Sequence, residues 1–298
     1  MAADTKKPPA LRSPQQALNK KPGSRTGDLA RKVSSSAVLW LLVVVYGFPT
    51  LWFVMSSFKP AGELFSYPLT FFPSKFTLDG YTAAWTKFDF AGYFVNTLIV
   101  AVGATLLTVV ASAAAGYALA KYQSWWLKIF AVCIIATTML PGETILAPLF
   151  VVVRDLGLYN NLAGVIVPAV ITATGTFMFR QFFVTVPNDL LEAARIDGSG
   201  EISTFIRIML PLAKPIIMTL AIFSFQWRWN DYLWPLIILN DPNQFTLQIG
   251  VASIIGAQNI NWSVLLGASV MSMVPLVAIY LIFQKYVMSA DMNAGLKD

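Results

Sequence analysis

Histidine is absent from all 298 residues, and cysteine occurs once, at Cys133 inside an apolar run. Without imidazole, histidine-based catalytic triads and histidine-ligated metal sites are excluded. A lone thiol forms no intrachain disulfide, so cysteine usage says nothing about redox compartment. Charge is scarce too: only 12% of residues are Asp, Glu, Lys or Arg, against about a quarter in soluble domains. No glycine loop ending in Gly-Lys-Ser or Gly-Lys-Thr is present. The chain therefore lacks the phosphate cradle of a nucleotide hydrolase, and no enzymatic activity is expected of it. A cleavable leader is not expected either, because the first apolar run begins late, at Ala37, is too long and lacks a small-x-small site.

What is abundant is apolar surface. The chain is 56% hydrophobic with a mean hydropathy of +0.63, which marks an integral membrane protein in contact with lipids. A helix needs about 20 apolar residues to cross the hydrocarbon. Six runs qualify: Ala37–Phe58, Phe94–Ala120, Leu127–Val153, Leu162–Phe183, Pro215–Leu239 and Val264–Phe283. The expected class is all-α, with six transmembrane helices. The net charge of +6 is no nucleic-acid face, because eight of the 21 basic residues crowd into residues 1–32, among Pro, Ser and Gln. Such a tail is expected to be disordered. With the N-terminus inside, sixteen Lys and Arg fall on cytoplasmic segments and four on the opposite side. The positive-inside rule then places both termini in the cytoplasm.

Between the fourth and fifth runs lies the polar stretch Glu192-Ala193-Ala194-Arg195-Ile196-Asp197-Gly198-Ser199, followed by Phe205, Ile208, Leu210-Pro211 and Pro215. Pro187 or Asn188 is suited to start a helix, and Gly198 to end it in a left-handed conformation. A second helix is expected from about Ser199 to Leu210, with Ile202, Phe205, Ile206 and Met209 on one face. Read from the residues alone, the segment is either a solvated loop with balanced charge or a rigid helix-Gly-helix knuckle. The charge count places it in the cytosol.

The pattern Glu-Ala-Ala, three residues, Gly, then Leu-Pro closely resembles the coupling loop of permease subunits from bacterial type I ABC importers. Ser57-Phe58-Lys59-Pro60, Asn96-Thr97-Leu98, Ala115–Ala120, Pro148-Leu149-Phe150, Arg180-Gln181-Phe182-Phe183 and Trp229–Pro235 are similar to carbohydrate-importer permeases of the six-span, maltose type. The resemblance covers roughly residues 40–287 and implies the type I permease fold. It also implies that Glu192, Ala193, Ala194, Asp197, Gly198, Ser199, Leu210 and Pro211 couple the chain to a separate ATPase. The implied partners are a second, homologous permease, two ATPase subunits that hold ATP and Mg, and an extracytoplasmic solute-binding protein. No cofactor is expected on this chain. The location it implies is the bacterial cytoplasmic membrane.

Ionisable residues inside spans cost about 2.5–3.5 kcal/mol on insertion scales and need a reason. Glu143 follows Pro141-Gly142 in the third run. Pro141 and Pro148 each deny a carbonyl its helical partner, so this span is expected to be bent or broken. Glu143 either lines a wet cavity or sits at the outer surface. In the fifth run, Gln226, Trp227, Arg228, Asn230, Asp231 and Trp234 lie about 16–29 Å above Pro215. Arg228 and Asp231 are i, i+3 and suited to neutralise each other. Trp227, Asn230, Asp231 and Trp234 recur at three-to-four-residue spacing. Aromatic faces beside amide and carboxylate groups suit a hydroxyl-rich ligand; they equally suit an outer-leaflet aromatic belt with one ion pair. Arg228 departs from the family pattern and suits an anionic polyol or glycerol phosphate derivative.

The expected organisation is a tail over 1–36, a first helix and outer loop over 37–92, a permease core over 93–286 with the coupling loop at 187–214, and a second tail over 287–298. The aromatic outer loop, 59–93, suits an interfacial cap or a surface for an external partner. The function implied is ATP-driven uptake of a carbohydrate or related polyol. An ion-coupled secondary carrier, with Glu143 or Asp231 as proton site, is the alternative, although no inverted repeat is visible.

Overall fold

A computed structural model describes the backbone of residues 25–256 and 259–295, with side chains over 36–256 and 259–284. The chain divides into two units, Met1–Phe53 and Val54–Asp298. In the first, helix α1 (Arg25–Ser56) starts twelve residues before the expected run. Residues 25–36, assigned above to the tail, are helical because no proline lies between Pro22 and Pro49 and Leu29, Ala30, Arg31 and Lys32 are good helix formers. Residues 1–24 lie outside the described residues. The apolar side chains of α1, from Val38 to Leu51, are exposed all round, as befits a helix whose solvent is lipid.

The second unit is organised on α3 (Phe90–Lys121), which is reached from α2 (Asp79–Lys87). Its buried residues Ala101, Ala104, Thr105, Thr108, Ser112, Ala113 and Gly116 form a strip of small side chains, which lets helices approach closely in lipid. Helices α7 (Ala173–Thr185) and α11 (Lys214–Trp229) pack along it. At Gly116 the approach is tightest. A Cβ there would stand 2.5 Å from the Phe179 Cβ and 2.9 Å from the Thr176 carbonyl oxygen.

The third run is broken, as expected, and the break falls at Pro141. Helices α4 (Trp125–Thr138) and α5 (Gly142–Asp155) meet at 116° across Met139–Pro141. Pro148, in contrast, is accommodated inside α5. The fourth run comprises α6 (Leu162–Ile166), a 3-10 turn and α7. The fifth differs from the single span expected. It ends at Trp229, and α12 (Leu233–Ile238) follows separately. The reason is local. Asn230 Nδ2 donates back to the Gln226 carbonyl at 3.0 Å and Asp231 Oδ1 accepts the Trp234 N–H at 3.4 Å, so both side chains compete with the helical ladder. Pro235 offers no N–H to the Asp231 carbonyl. After α12 come α13 (Leu247–Ile255) and α14 (Trp262–Gly295).

Among the described residues four helices are long and apolar enough to cross a membrane, and six spans result if each bent pair counts as one. The second bent pair joins residues 201–212 to α11 at 77°. The loop before α2 is ordered by buried Lys59, which donates to the Thr70 carbonyl, and by Glu63, which accepts from Ser74 and Thr70 at 2.7–3.1 Å. Tyr67 and Phe72 nevertheless remain exposed. The expected tail 287–298 begins as a continuation of α14 to Gly295, and its side chains lie outside the described residues.

Candidate coupling site

Helix α8 (Asp189–Ile196) ends as its glycine requires. Gly198 has φ +76°. Its N–H reaches the Arg195 carbonyl at 3.0 Å, and the Ser199 N–H reaches Ala194 at 2.9 Å. This crossed pair satisfies two of the carbonyls that a helix end leaves open. No atom lies within 4 Å of a Cβ built on Gly198, so the backbone angle alone demands glycine here. Asn188 occupies the N-cap but does not cap: its side chain accepts from Lys121 Nζ at 2.9 Å instead.

The second helix starts at Glu201 rather than Ser199. It runs through α9 (Glu201–Thr204), a π turn over Phe205–Met209 and α10 (Leu210–Leu212). Pro211 lacks the N–H that the Arg207 carbonyl would bond, and the wider turn forms around that gap. The π turn corrects the expected face. Thr204 and Met209, five residues apart, point inward, with Phe205 half-buried beside them, while Ile202 and Ile206 are exposed. Ile196, 86% exposed on the first arm, joins the outer surface.

The elbow is clamped to the end of α3. Leu191 and Met209 share a core with Ala113, Tyr117, Phe179 and Phe183, and Ala194 is buried as well. Lys121 Nζ donates to the Val186 carbonyl at 2.6 Å. The Tyr122 hydroxyl donates to Glu201 Oε2 at 2.5 Å, and Arg195 pairs with Glu201 Oε1 at 2.7 Å. The Tyr122 hydroxyl first, and then Arg195, hold the Glu201 carboxyl below its ordinary pKa. The same carboxylate raises the Arg195 pKa. One carboxylate thus ties both arms of the elbow to the helix that runs through the bundle.

The coupling residues named from sequence divide in two. Glu192, Ala193, Asp197, Gly198 and Pro211 are exposed, whereas Ala194 is buried and Ser199 and Leu210 are half-buried toward the bundle. Tyr122, Glu201 and Lys121 were not among them. Tyr122 and Glu201 lie 79 residues apart, and Arg195 and Glu201 meet across a glycine turn rather than at helical spacing, so no local signal marks them.

The polar residues of the fifth run are only partly brought together. Arg228 and Asp231 pair at 3.5 Å with side chains about one-fifth exposed. Arg228 Nε is buried without a hydrogen bond. Gln226, Trp227 and Asn230 lie exposed around this pair. The helix break removes Trp234 from their row: it is buried, and its Nε1 donates to the Gly164 carbonyl at 3.2 Å. Its neighbour Trp229 is also buried and donates to the Ser272 carbonyl at 3.0 Å. Glu143 stands in the exposed first turn of α5.

Residues 108–289 match the family described as binding-protein-dependent transport system inner membrane component. An arabinooligosaccharide transport system permease protein of Halalkalibacterium halodurans is 34% identical over 277 residues, covering 90% of this chain and 99% of that protein. A diacetylchitobiose uptake system permease protein of Streptomyces coelicolor is 34% identical, over 83% of this chain and 82% of its own length. A sn-glycerol-3-phosphate transport system permease protein of Yersinia enterocolitica is 31% identical, over 75% and 83%. Among solved structures, a chain of a bacterial ABC transporter involved in the import of the acidic polysaccharide alginate superposes with a TM-score of 0.79 at 23% identity, over 89% of this chain and 99% of that one. The last of these likenesses concerns the fold. The first three carry sequence identity along most of the chain, and with the family match they identify it: this protein belongs to the binding-protein-dependent transport system inner membrane components, the permeases of ABC importers.

Proposed function

We propose that the chain is one of two permease subunits of an importer for a carbohydrate or related polyol, driven by ATPase subunits that seat on the elbow 187–214. The observation that carries this reading is the elbow itself: a glycine-closed knuckle, pinned to α3 through Glu201, with apolar Ile196, Ile202 and Ile206 left uncovered. Exposed apolar groups on a polar knuckle are what a cleft in a partner protein would bury. ATP binding closes the ATPase pair, the elbow moves as one body, and the clamp passes that displacement to α3. In this reading both termini and the elbow face the cytosol, ATP and Mg reside on the ATPase chains, and an extracytoplasmic binding protein delivers substrate to the opposite face. The exposed aromatics of the loop before α2 suit that delivery.

Gln226, Trp227, Asn230 and the Arg228–Asp231 pair are the groups we assign to the solute pathway, with Glu143 as a further polar group. Trp234, named with them from sequence, acts from behind by fixing the break between α11 and α12. Relatives named for oligosaccharide uptake favour a neutral sugar. A second reading, an anionic polyol or glycerol phosphate derivative, is favoured by the unpartnered Arg228 Nε and by the relative named for sn-glycerol-3-phosphate. The test is reconstitution of the complete importer and measurement of substrate-stimulated ATP hydrolysis. Stimulation by a sugar and its loss in Gly198→Val support the reading. Transport that persists without ATP overturns it.

A further inference from the structure

A cavity of about 390 Å³ opens between the end of α3, the first turns of α4 and the last turns of α7. Two cations line it from different helices, Lys128 and Arg180, together with Ser124, Gln123 and Tyr122. Neither cation has a carboxylate within ion-pair distance among the described residues. Helix α4 opens on the cavity without a side-chain cap on its first turn, so its unbonded N–H groups add positive potential there. Apolar Leu127, Ala131 and Val184 continue the wall. Beside it the indoles of Trp125 and Trp126 stack at 3.6 Å and are both exposed, as indoles are at a membrane–water boundary. Helix α4 buries none of its residues within the chain.

We propose that this cavity binds the phosphate headgroup of an anionic phospholipid of the cytoplasmic leaflet. The inference rests on the cytosolic orientation of the elbow proposed above. The cations and the uncapped helix end take the phosphate oxygens, the hydroxyl of Ser124 and the amide of Gln123 meet the polar headgroup, and the apolar wall receives the first methylenes of an acyl chain. Unpaired cations beside exposed tryptophans select a lipid over a protein partner, because the anionic leaflet supplies both the charge and the apolar medium. The site has a mechanical consequence. Tyr122 lines the cavity and also bonds Glu201 of the elbow, so an occupied site braces the clamp through which the elbow moves α3.

The test is lipid retained by the assembled importer after detergent washing. Phosphatidylglycerol enriched over phosphatidylethanolamine, relative to the source membrane, is expected. Lys128→Gln with Arg180→Gln should lower that enrichment roughly fivefold per removed charge, and Lys128→Arg should keep it. Unchanged enrichment in the double variant overturns the proposal. So does inorganic phosphate binding in phosphatidylcholine nanodiscs with no preference for anionic lipid, which would mark a soluble-anion site. If the double variant fails to assemble, brominated lipids decide on the wild-type complex. Brominated phosphatidylglycerol should quench tryptophan fluorescence more than brominated phosphatidylcholine, and Trp125→Phe with Trp126→Phe should erase the difference; equal quenching by the two lipids overturns the proposal. Orientation is read separately, from labelling of Ser199→Cys in a Cys133→Ser chain by a membrane-impermeant thiol reagent. Labelling in intact cells overturns the orientation and with it the assignment to the cytoplasmic leaflet, whereas lipid retention decides the headgroup site itself.

Discussion

At Gly198 a single angle separates a working elbow from a strained one. With φ +76° and no neighbour within 4 Å of the Cβ position, an L-residue there meets no clash, only the left-handed penalty of about 1–2 kcal/mol. Gly198→Asn, which tolerates that region, should retain most ATP-driven uptake, whereas Gly198→Val should lose most of it with normal membrane insertion, as read by uptake per inserted molecule. Glu201 makes a second prediction. Its carboxyl is held below the ordinary carboxylate range by Tyr122 and Arg195, so the clamp is at full strength above the unfolded carboxylate pKa of about 4.3. It weakens as pH falls through the lower, folded value. Coupling should therefore be level across neutral pH and fall only in acid, and Glu201→Gln should weaken it at every pH. The group is half exposed, so solvent screens the ion pair, and a cycle of Tyr122→Phe with Arg195→Ala should show only a weak coupling in elbow stability.

At the scale of elements, the contact of α3 with α7 is set by size. A Cβ on Gly116 would overlap Phe179 and the Thr176 carbonyl, so Gly116→Ala should destabilise by about 1–3 kcal/mol. Thermal unfolding in detergent checks this, and Gly116→Leu should leave no folded chain. Sequence anticipated this element only as an apolar run, since small residues announce a close approach without naming the partner helix. The two broken runs divide instructively. The bend at Met139–Pro141 was legible because proline removes a donor at a known register. The break after Trp229 was not, because it depends on Asn230 and Asp231 turning their side chains to backbone groups rather than outward. That break carries Trp234 into the core and leaves Gln226, Trp227 and Asn230 with the Arg228–Asp231 pair.

For the whole molecule the prediction concerns energy source and polarity. Uptake by the reconstituted importer should stop on ATP depletion and survive collapse of the proton gradient, and the opposite pattern would return the ion-coupled carrier. Membrane residence, the helical class and the glycine-closed knuckle were legible in composition and local pattern, because apolar run length, glycine at a left-handed turn and proline without a donor act within a few residues of themselves. Only the tertiary structure decided which groups meet across long stretches of chain. Glu201 finds Tyr122, Lys121 finds Asn188, Trp234 finds Gly164, and Ile202 and Ile206 turn outward because a π turn intervenes. Such pairings depend on how helices cross, and no spacing along the chain encodes a crossing.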